Sequence, residues 1–133
     1  MTDNILIIPW HNRDHEIVTL LNLILADLGY SVIVLDKFLP EVTSNDLEKI
    51  YHLHKPDAII TRAEEDVRLG EALCKLVKEN LLTKNIKLLY LESLTCIEVY
   101  PVHGMNYCKP DEYLILPFSP EELEEKLYLL LHL

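Results

Sequence analysis

The sequence predicts a three-layer α/β fold in which a doubly wound, five-stranded parallel sheet carries helices on both faces. Short, unbroken apolar segments recur five times along the chain, which is typical of strands that are covered on both faces. Segments with apolar residues at helical spacing alternate with them. Alternation of this kind implies right-handed crossovers and parallel strands.

The five predicted strands lie between turn residues or charged residues. They span residues 5–8, 31–35, 58–60, 87–91 and 113–116. Pro9 ends the first strand, because a proline nitrogen cannot donate to a central ladder, and Asp36 closes the second. The third strand follows a Lys-Pro-Asp turn, and we expect it at the centre of the sheet.

The first predicted helix covers residues 15–28 and is unusually apolar. Gly29 follows it at the place of a left-handed C-cap. The helical stripe consists of Ile17, Leu20, Leu21, Ile24 and Leu28, and it is widened by Val18, Leu23 and Leu25. This width indicates either a deeply packed helix or a second surface that a partner uses.

The remaining helices are marked by residues typical of helix ends. Thr43 or Ser44 caps the second helix, and the third ends near Asn80. The last helix opens with a serine cap, a proline at the first position and a glutamate three residues after the cap, at Ser119, Pro120 and Glu122. Pro101 and Gly104 interrupt residues 92–109 and Pro110 follows them, so we expect a degenerate fourth helix there.

The composition indicates one domain covering residues 1–133, with a formal net charge of −10. This charge argues against nucleic acid and anionic membrane surfaces as partners, and it favours basic protein partners. No apolar segment has the length that a membrane-spanning helix needs, and no targeting signal is visible. We therefore expect a cytoplasmic protein.

Cysteine and histidine spacing predicts no metal site. Cys74, Cys96 and Cys108 are odd in number and lack CxxC spacing, so we expect free thiols rather than a disulfide framework. His11 and His15 have i,i+4 spacing, but no clear carboxylate or cysteine completes a ligand set. With no catalytic motif present, we expect no cofactor and no enzymatic activity.

Over essentially its full length, the chain resembles a receiver (CheY-like) domain of bacterial two-component response regulators. From Pro56-Asp57 through Gly70 to Glu92, it follows the family's pattern of strand, loop, helix and strand without a gap. Residues 113–123, YLILPFSPEEL, are similar to the family's fifth strand and final helix start. The resemblance implies a flavodoxin-like sheet of strand order 2-1-3-4-5 and a role in signal transduction.

The residues that would perform phosphorylation chemistry in a receiver are replaced. The family has two magnesium-binding acids after the first strand, an acceptor aspartate at the end of the third, a hydroxyl after the fourth and a lysine before the fifth-strand proline. Pro9 and Trp10 stand at the places of the two acids, and Arg62 stands at the place of the acceptor aspartate. Glu92 replaces the hydroxyl, and Leu116 replaces the lysine. Proline, indole and guanidinium groups have no carboxylate oxygen with which to bind a hard cation or to attack phosphorus as an acceptor aspartate does, so they cannot substitute for these acids. Asp14 lies nearby but needs a one-residue insertion to match the acid pair.

Each of these residues has a functional and a structural interpretation. Arg62 is either a permanent cation that pairs with Glu92, Glu64 or Asp36 and holds a switch loop in one state, or a solvated residue at a strand end. Glu92 either has a functional role at the place of the family's switch hydroxyl or is a surface carboxylate. Trp10 is either a ligand platform or a loop-packing residue. Tyr113 occupies the place of the family's switch aromatic, or it is simply a half-buried tyrosine.

The sequence favours a stand-alone pseudo-receiver that acts as a phosphorylation-independent protein-interaction module. The interface candidates lie on and after the last helix, away from its predicted buried face: Tyr128, Leu129 and Leu133. They suit a protein partner or a homodimer formed through the last strand and helix. The alternative is a small-molecule-binding flavodoxin-like domain similar to cobalamin-binding domains. Its Asp-x-His-x-x-Gly signature fails here, because Val18 stands where glycine is needed after His15.

Overall fold

The computed structural model describes residues 3–11, 15–62, 67–92 and 108–132. Its centre is a five-stranded parallel sheet of order β2-β1-β3-β4-β5. The strands are β1 (Asn4–Ile7), β2 (Ser31–Val34), β3 (Ala58–Thr61), β4 (Lys87–Glu92) and β5 (Glu112–Ile115). The predicted architecture and strand order are confirmed.

Four helices cover the two faces of the sheet within the described ranges. They are α1 (His15–Asp27), α2 (Ser44–His54), α3 (Val67–Lys78) and α4 (Pro120–His132), and a short 3-10 turn spans Leu39–Glu41. One apolar cluster joins α1 and α4 to the sheet, and a second joins α2 and α3 to the opposite face. The degenerate helix predicted before β5 falls on residues outside the described ranges.

The helix ends form where the sequence places their signals. Thr43 caps α2 in a capping box, because its hydroxyl accepts from the Asp46 N–H while the Asp46 carboxylate accepts from the Thr43 N–H. Ser119 and Glu122 make the same reciprocal pair at the start of α4. Lys55, with φ of 47°, ends α2 in the left-handed region ahead of the proline.

The burial of α1 differs from the predicted stripe. Val18, Leu21 and Leu25 are the buried residues, whereas Leu20 is 52% exposed and Leu23 is 65% exposed. The sequence assigned Leu20 to the core and treated Val18 and Leu25 as the surplus. Eight apolar residues in fourteen positions leave the helical phase ambiguous, and only the contact with the sheet and α4 selects the buried face.

The structure corrects the expectation of free thiols for two of the three cysteines. A disulfide joins Cys74 on α3 to Cys108, with their Cα atoms 5.8 Å apart. Thirty-four positions separate the two in sequence, so no local spacing signal exists and the fold alone brings them together. The third, Cys96, lies outside the described residues.

None of the helices in the described part of the chain is both long enough and apolar enough to cross a membrane.

Candidate functional site

The carboxyl edge of the sheet is where this fold class places ligands and switches. Backbone hydrogen bonds tie the strand ends and the following loops together here. The Ile8 N–H donates to the Ile60 carbonyl at 3.0 Å, and the Leu39 N–H donates to the Pro9 carbonyl at 2.8 Å. The buried Thr61 hydroxyl donates to the Ile8 carbonyl at 2.8 Å. The loop that carries Pro9 is therefore fixed from two sides.

Trp10 lies in the loop that follows β1, at the carboxyl edge of the sheet. Its half-buried side chain packs against both apolar clusters, one on each face of the sheet. The indole N–H is buried, and it finds no acceptor among the residues that the structure describes. An unmet buried donor costs about 1–3 kcal/mol. The contact with both clusters supports the loop-packing interpretation of Trp10.

Arg62 and Glu92 stand at the ends of the two central neighbouring strands β3 and β4. Arg62 is half-buried, and its Nε atom is buried. Glu92 is fully buried, which corrects its interpretation as a surface carboxylate. The buried position follows from β4, which extends one residue beyond the predicted strand and lies between β3 and β5. A carboxylate inside the sheet edge is not presented to solvent as an accessible metal ligand.

Tyr113 on β5 faces the same side of the sheet as Glu92. Tyr113 is paired with Tyr90 on β4, so these two side chains lie on the same face. Glu92 comes two residues after Tyr90 on the same strand and therefore shares that face. Burial and then the negative charge of Glu92 raise the pKa of Tyr113 to about 12. Leu116, which follows β5, donates its N–H to the Glu92 carbonyl at 3.0 Å.

These positions do not assemble a magnesium or phosphoryl site from the described residues. Pro9, Trp10 and Leu116 offer no side-chain oxygen, and no group of three metal-ligating side chains occurs within residues 3–11, 15–62, 67–92 and 108–132. Asp14 and Glu64, the other candidate acids, lie outside those ranges. Within the described residues, these side chains pack at the carboxyl edge of the sheet, and the hydrogen bonds at the strand ends hold it in place.

A cavity of about 480 Å³ opens beside this edge, between α1 and the chain that leaves β2. Its apolar lining includes Val18, Val34 and Phe38, and Asn22 and Lys37 supply polar groups. Lys37 is also held by Asp46, at 2.9 Å. Asn22, Lys37 and Phe38 were not identified as lining residues from the sequence.

The interface candidates on α4 occupy the side of the helix away from the buried Leu123 and Leu127. Tyr128 is 57% exposed and Leu129 is 44% exposed. Leu133 lies outside the described residues.

Known proteins of similar structure are receiver domains. No protein-family model matches the chain. The chemotaxis response regulator CheY4 of Vibrio cholerae is 21% identical to this chain, with a TM-score of 0.73. The match covers 98% of this chain and 100% of CheY4. The receiver domain of sensor histidine kinase PA1611 of Pseudomonas aeruginosa, which holds a magnesium ion in its active-site cleft, is 16% identical with a TM-score of 0.70 and 98% coverage of both chains.

Two further relatives reach about a quarter identity. A candidate response regulator from Chloroflexus aurantiacus is 25% identical with a TM-score of 0.73, and 98% of each chain is covered. The adventurous-gliding motility protein Z of Myxococcus xanthus is 26% identical over 110 residues, which is 83% of this chain. The match spans only 8% of that longer protein. Together with the sheet order, these similarities establish that the chain has the receiver-domain fold of response regulators.

Proposed function

We propose that the protein is a pseudo-receiver, a signalling module that binds a protein partner without being phosphorylated. The observation that carries the proposal is Trp10, which packs on both faces of the sheet at a place where the family's acid pair would bind magnesium. The half-buried Arg62, at the place of the acceptor aspartate, supports it. A guanidinium group has no carboxylate oxygen to form the acyl phosphate that an acceptor aspartate forms.

The partner surface is assigned to the exposed side of α4 and the adjoining edge of β5. Leu129 and Tyr128 on the helix and Ile115 on the edge strand are large, exposed apolar residues. Exposed glutamates surround the first turns of the helix: Glu121, Glu122, Glu124 and Glu125. An apolar centre with an acidic border is complementary to a partner with an apolar patch and a basic border.

Charge favours such a partner over a second copy of the chain. Each copy carries a formal net charge of −10, so the acidic borders of two copies would repel each other across a shared interface. Leu20 and Leu23 on α1 form a separate exposed apolar pair, without the ring of glutamates that surrounds α4. We therefore place the first contact on α4.

The test compares two leucines that are both exposed. A photo-crosslinking amino acid is placed at Leu129 or, as the matched control, at Leu81, which is 83% exposed ahead of β4. We expect a partner with a basic surface to crosslink from position 129 and not from 81, with or without magnesium. Leu129→Glu should abolish binding of that purified partner, and Leu81→Glu should not. Equal crosslinking from both positions, or crosslinks to a second copy alone, would contradict the assignment.

A second candidate function, small-molecule binding, is favoured by the cavity beside α1. Its volume of about 480 Å³ lies in the range of ligand sites, and its lining combines apolar side chains with a few polar groups. The ligand class is a small amphipathic molecule. Native mass measurement of the purified protein tests it, with Asn22→Trp narrowing the cavity and Leu23→Trp as the exposed control. A bound mass that survives Asn22→Trp, or no bound mass in the wild type, would remove this candidate.

A further inference from the structure

The disulfide between Cys74 and Cys108 links a buried sulfur to a more accessible one. Cys74 is completely buried in the cluster between α3 and the sheet. Cys108 is half-buried and packs against the same cluster from its edge. Their Cα separation of 5.8 Å lies within the ordinary range for a disulfide.

The bond holds the chain just ahead of β5 against α3. Asp111, three residues after Cys108, attaches the same stretch of chain to α3 and β4 without a covalent bond. Its carboxylate accepts from the Lys78 ammonium at 2.8 Å and from the Leu88 N–H at 2.7 Å. If the disulfide opens, Asp111 still anchors the start of β5, while residues 108–110 lose their covalent attachment to α3. The two attachments therefore allow a local change without loss of the sheet.

We propose that Cys74 and Cys108 form a reversible thiol–disulfide switch that exchanges with low-molecular-weight thiols and their disulfides. In the reducing direction, an external thiolate attacks the sulfur of Cys108 and forms a mixed disulfide with it. The bond between the Cys74 and Cys108 sulfurs breaks, and the Cys74 thiolate leaves and takes up a proton. A second external thiolate then attacks the mixed disulfide, releasing the external disulfide and the Cys108 thiolate, which is protonated. Two external thiols become one disulfide while the protein gains two thiols, so electrons and protons balance. Oxidation runs through the same steps in reverse.

The accessible sulfur determines the direction of attack. Cys74 is completely buried, whereas Cys108 is half-buried and is therefore the more accessible end of the link. In the reduced protein we therefore expect Cys108 to react with an alkylating reagent well before Cys74. The switch does not depend on the proposed partner surface.

The experiment equilibrates the protein, with Cys96→Ser removing the third cysteine, in mixtures of reduced and oxidised glutathione. Peptide mass analysis should show the Cys74–Cys108 link form and disappear reversibly. Hydrogen exchange should become about tenfold or more faster at the amides of Cys108 and Lys109 in the reduced form, while the amides of α1 remain unchanged. The Cys74→Ala/Cys108→Ala double variant should match the reduced form in every mixture.

Three results would overturn the proposal. The first is a link that resists glutathione as long as the protein stays folded. The second is identical exchange at the amides of Cys108 and Lys109 in the oxidised and reduced forms. The third is faster alkylation at Cys74 than at Cys108. None of these measurements uses a partner protein, so a failure of the switch can be distinguished from a failure of the proposed interaction function. If the double variant does not fold, the reduced wild type serves as the reference for the protein without the disulfide.

Discussion

Glu92 and Tyr113 lie on neighbouring strands and face the same side of the sheet, with the carboxylate buried beside the tyrosine. Burial, followed by the negative charge of Glu92, raises the pKa of Tyr113 from 10.0 to about 12. The Tyr113 hydroxyl therefore keeps its proton to a higher pH than an exposed tyrosine does, and part of this shift comes from Glu92.

Glu92→Gln is expected to lower the pKa of Tyr113, because it removes the charge that opposes ionisation. Burial is the larger cause, so the pKa should stay above its ordinary value. Tyrosinate absorbance, with Tyr113→Phe identifying the signal, measures this. Asp36→Asn is the control, since Asp36 does not contribute to the raised value. An unchanged pKa in Glu92→Gln would contradict the assigned cause.

Alkaline pH should destabilise the fold partly through Tyr113. Between about pH 10 and 12 the unfolded chain loses this proton while the folded chain keeps it, so the folded state binds more protons and the free energy of unfolding falls as pH rises. Urea unfolding at several pH values should show a shallower decline in Tyr113→Phe. Parallel curves for the wild type and the variant would show that the tyrosine is not linked to folding.

The capping box of α2 should contribute measurably to stability. Thr43→Ala is expected to cost about 1 kcal/mol of unfolding free energy, because the N–H of Asp46 loses its acceptor. Thr43→Ser keeps the hydroxyl and should cost much less. Chemical denaturation of both variants makes the comparison, and equal losses would assign the effect to the threonine methyl group.

Acid should weaken the same cap. The Lys37 ammonium, followed by the Thr43 N–H, lowers the pKa of Asp46 from 3.8 to about 2. The stabilisation is present above the ordinary pKa and is lost as pH falls towards 2. The stability difference between the wild type and Asp46→Asn should therefore shrink over that interval. A difference that stays constant with pH would rule out the carboxylate charge as its source.

Two leucines on α4 should differ sharply in their effect on stability. Leu127→Ala removes a completely buried side chain and should cost about 2–5 kcal/mol. Leu129→Ala alters an exposed position and should change stability by about 0.5 kcal/mol or less. Thermal or urea unfolding measures both. A large cost at Leu129 would mean that its side chain has a packing role, and the partner surface would have to be sought at Leu20 and Leu23.

Local signals were enough to predict the sheet and most helix ends. Ser119, Pro120 and Glu122 mark the start of α4 within four residues, and the apolar segments of the strands need no tertiary information. The buried side of α1 was mispredicted at Leu20, because a nearly continuous apolar helix has no unique phase.

The site was less predictable because its residues meet only through the fold. Glu92 looks like a surface carboxylate in sequence, and its burial depends on the neighbouring strands β3 and β5. The link between Cys74 and Cys108 spans 34 positions, and the cavity lining combines the loop after β1, the helix α1 and the chain after β2, which only the fold brings together. No spacing rule along the chain detects such contacts.

The central claim is that this receiver fold works without phosphorylation, and the single tryptophan of the chain lies at the place to test it. Magnesium with beryllofluoride, a mimic of the phosphoryl group, is added while Trp10 fluorescence and the amide spectrum are recorded. We predict no change in the wild type and none in Arg62→Asp, which still lacks the acid pair and the lysine. A saturable change in the wild type, localised to the amides around Trp10 and Arg62, would contradict the account.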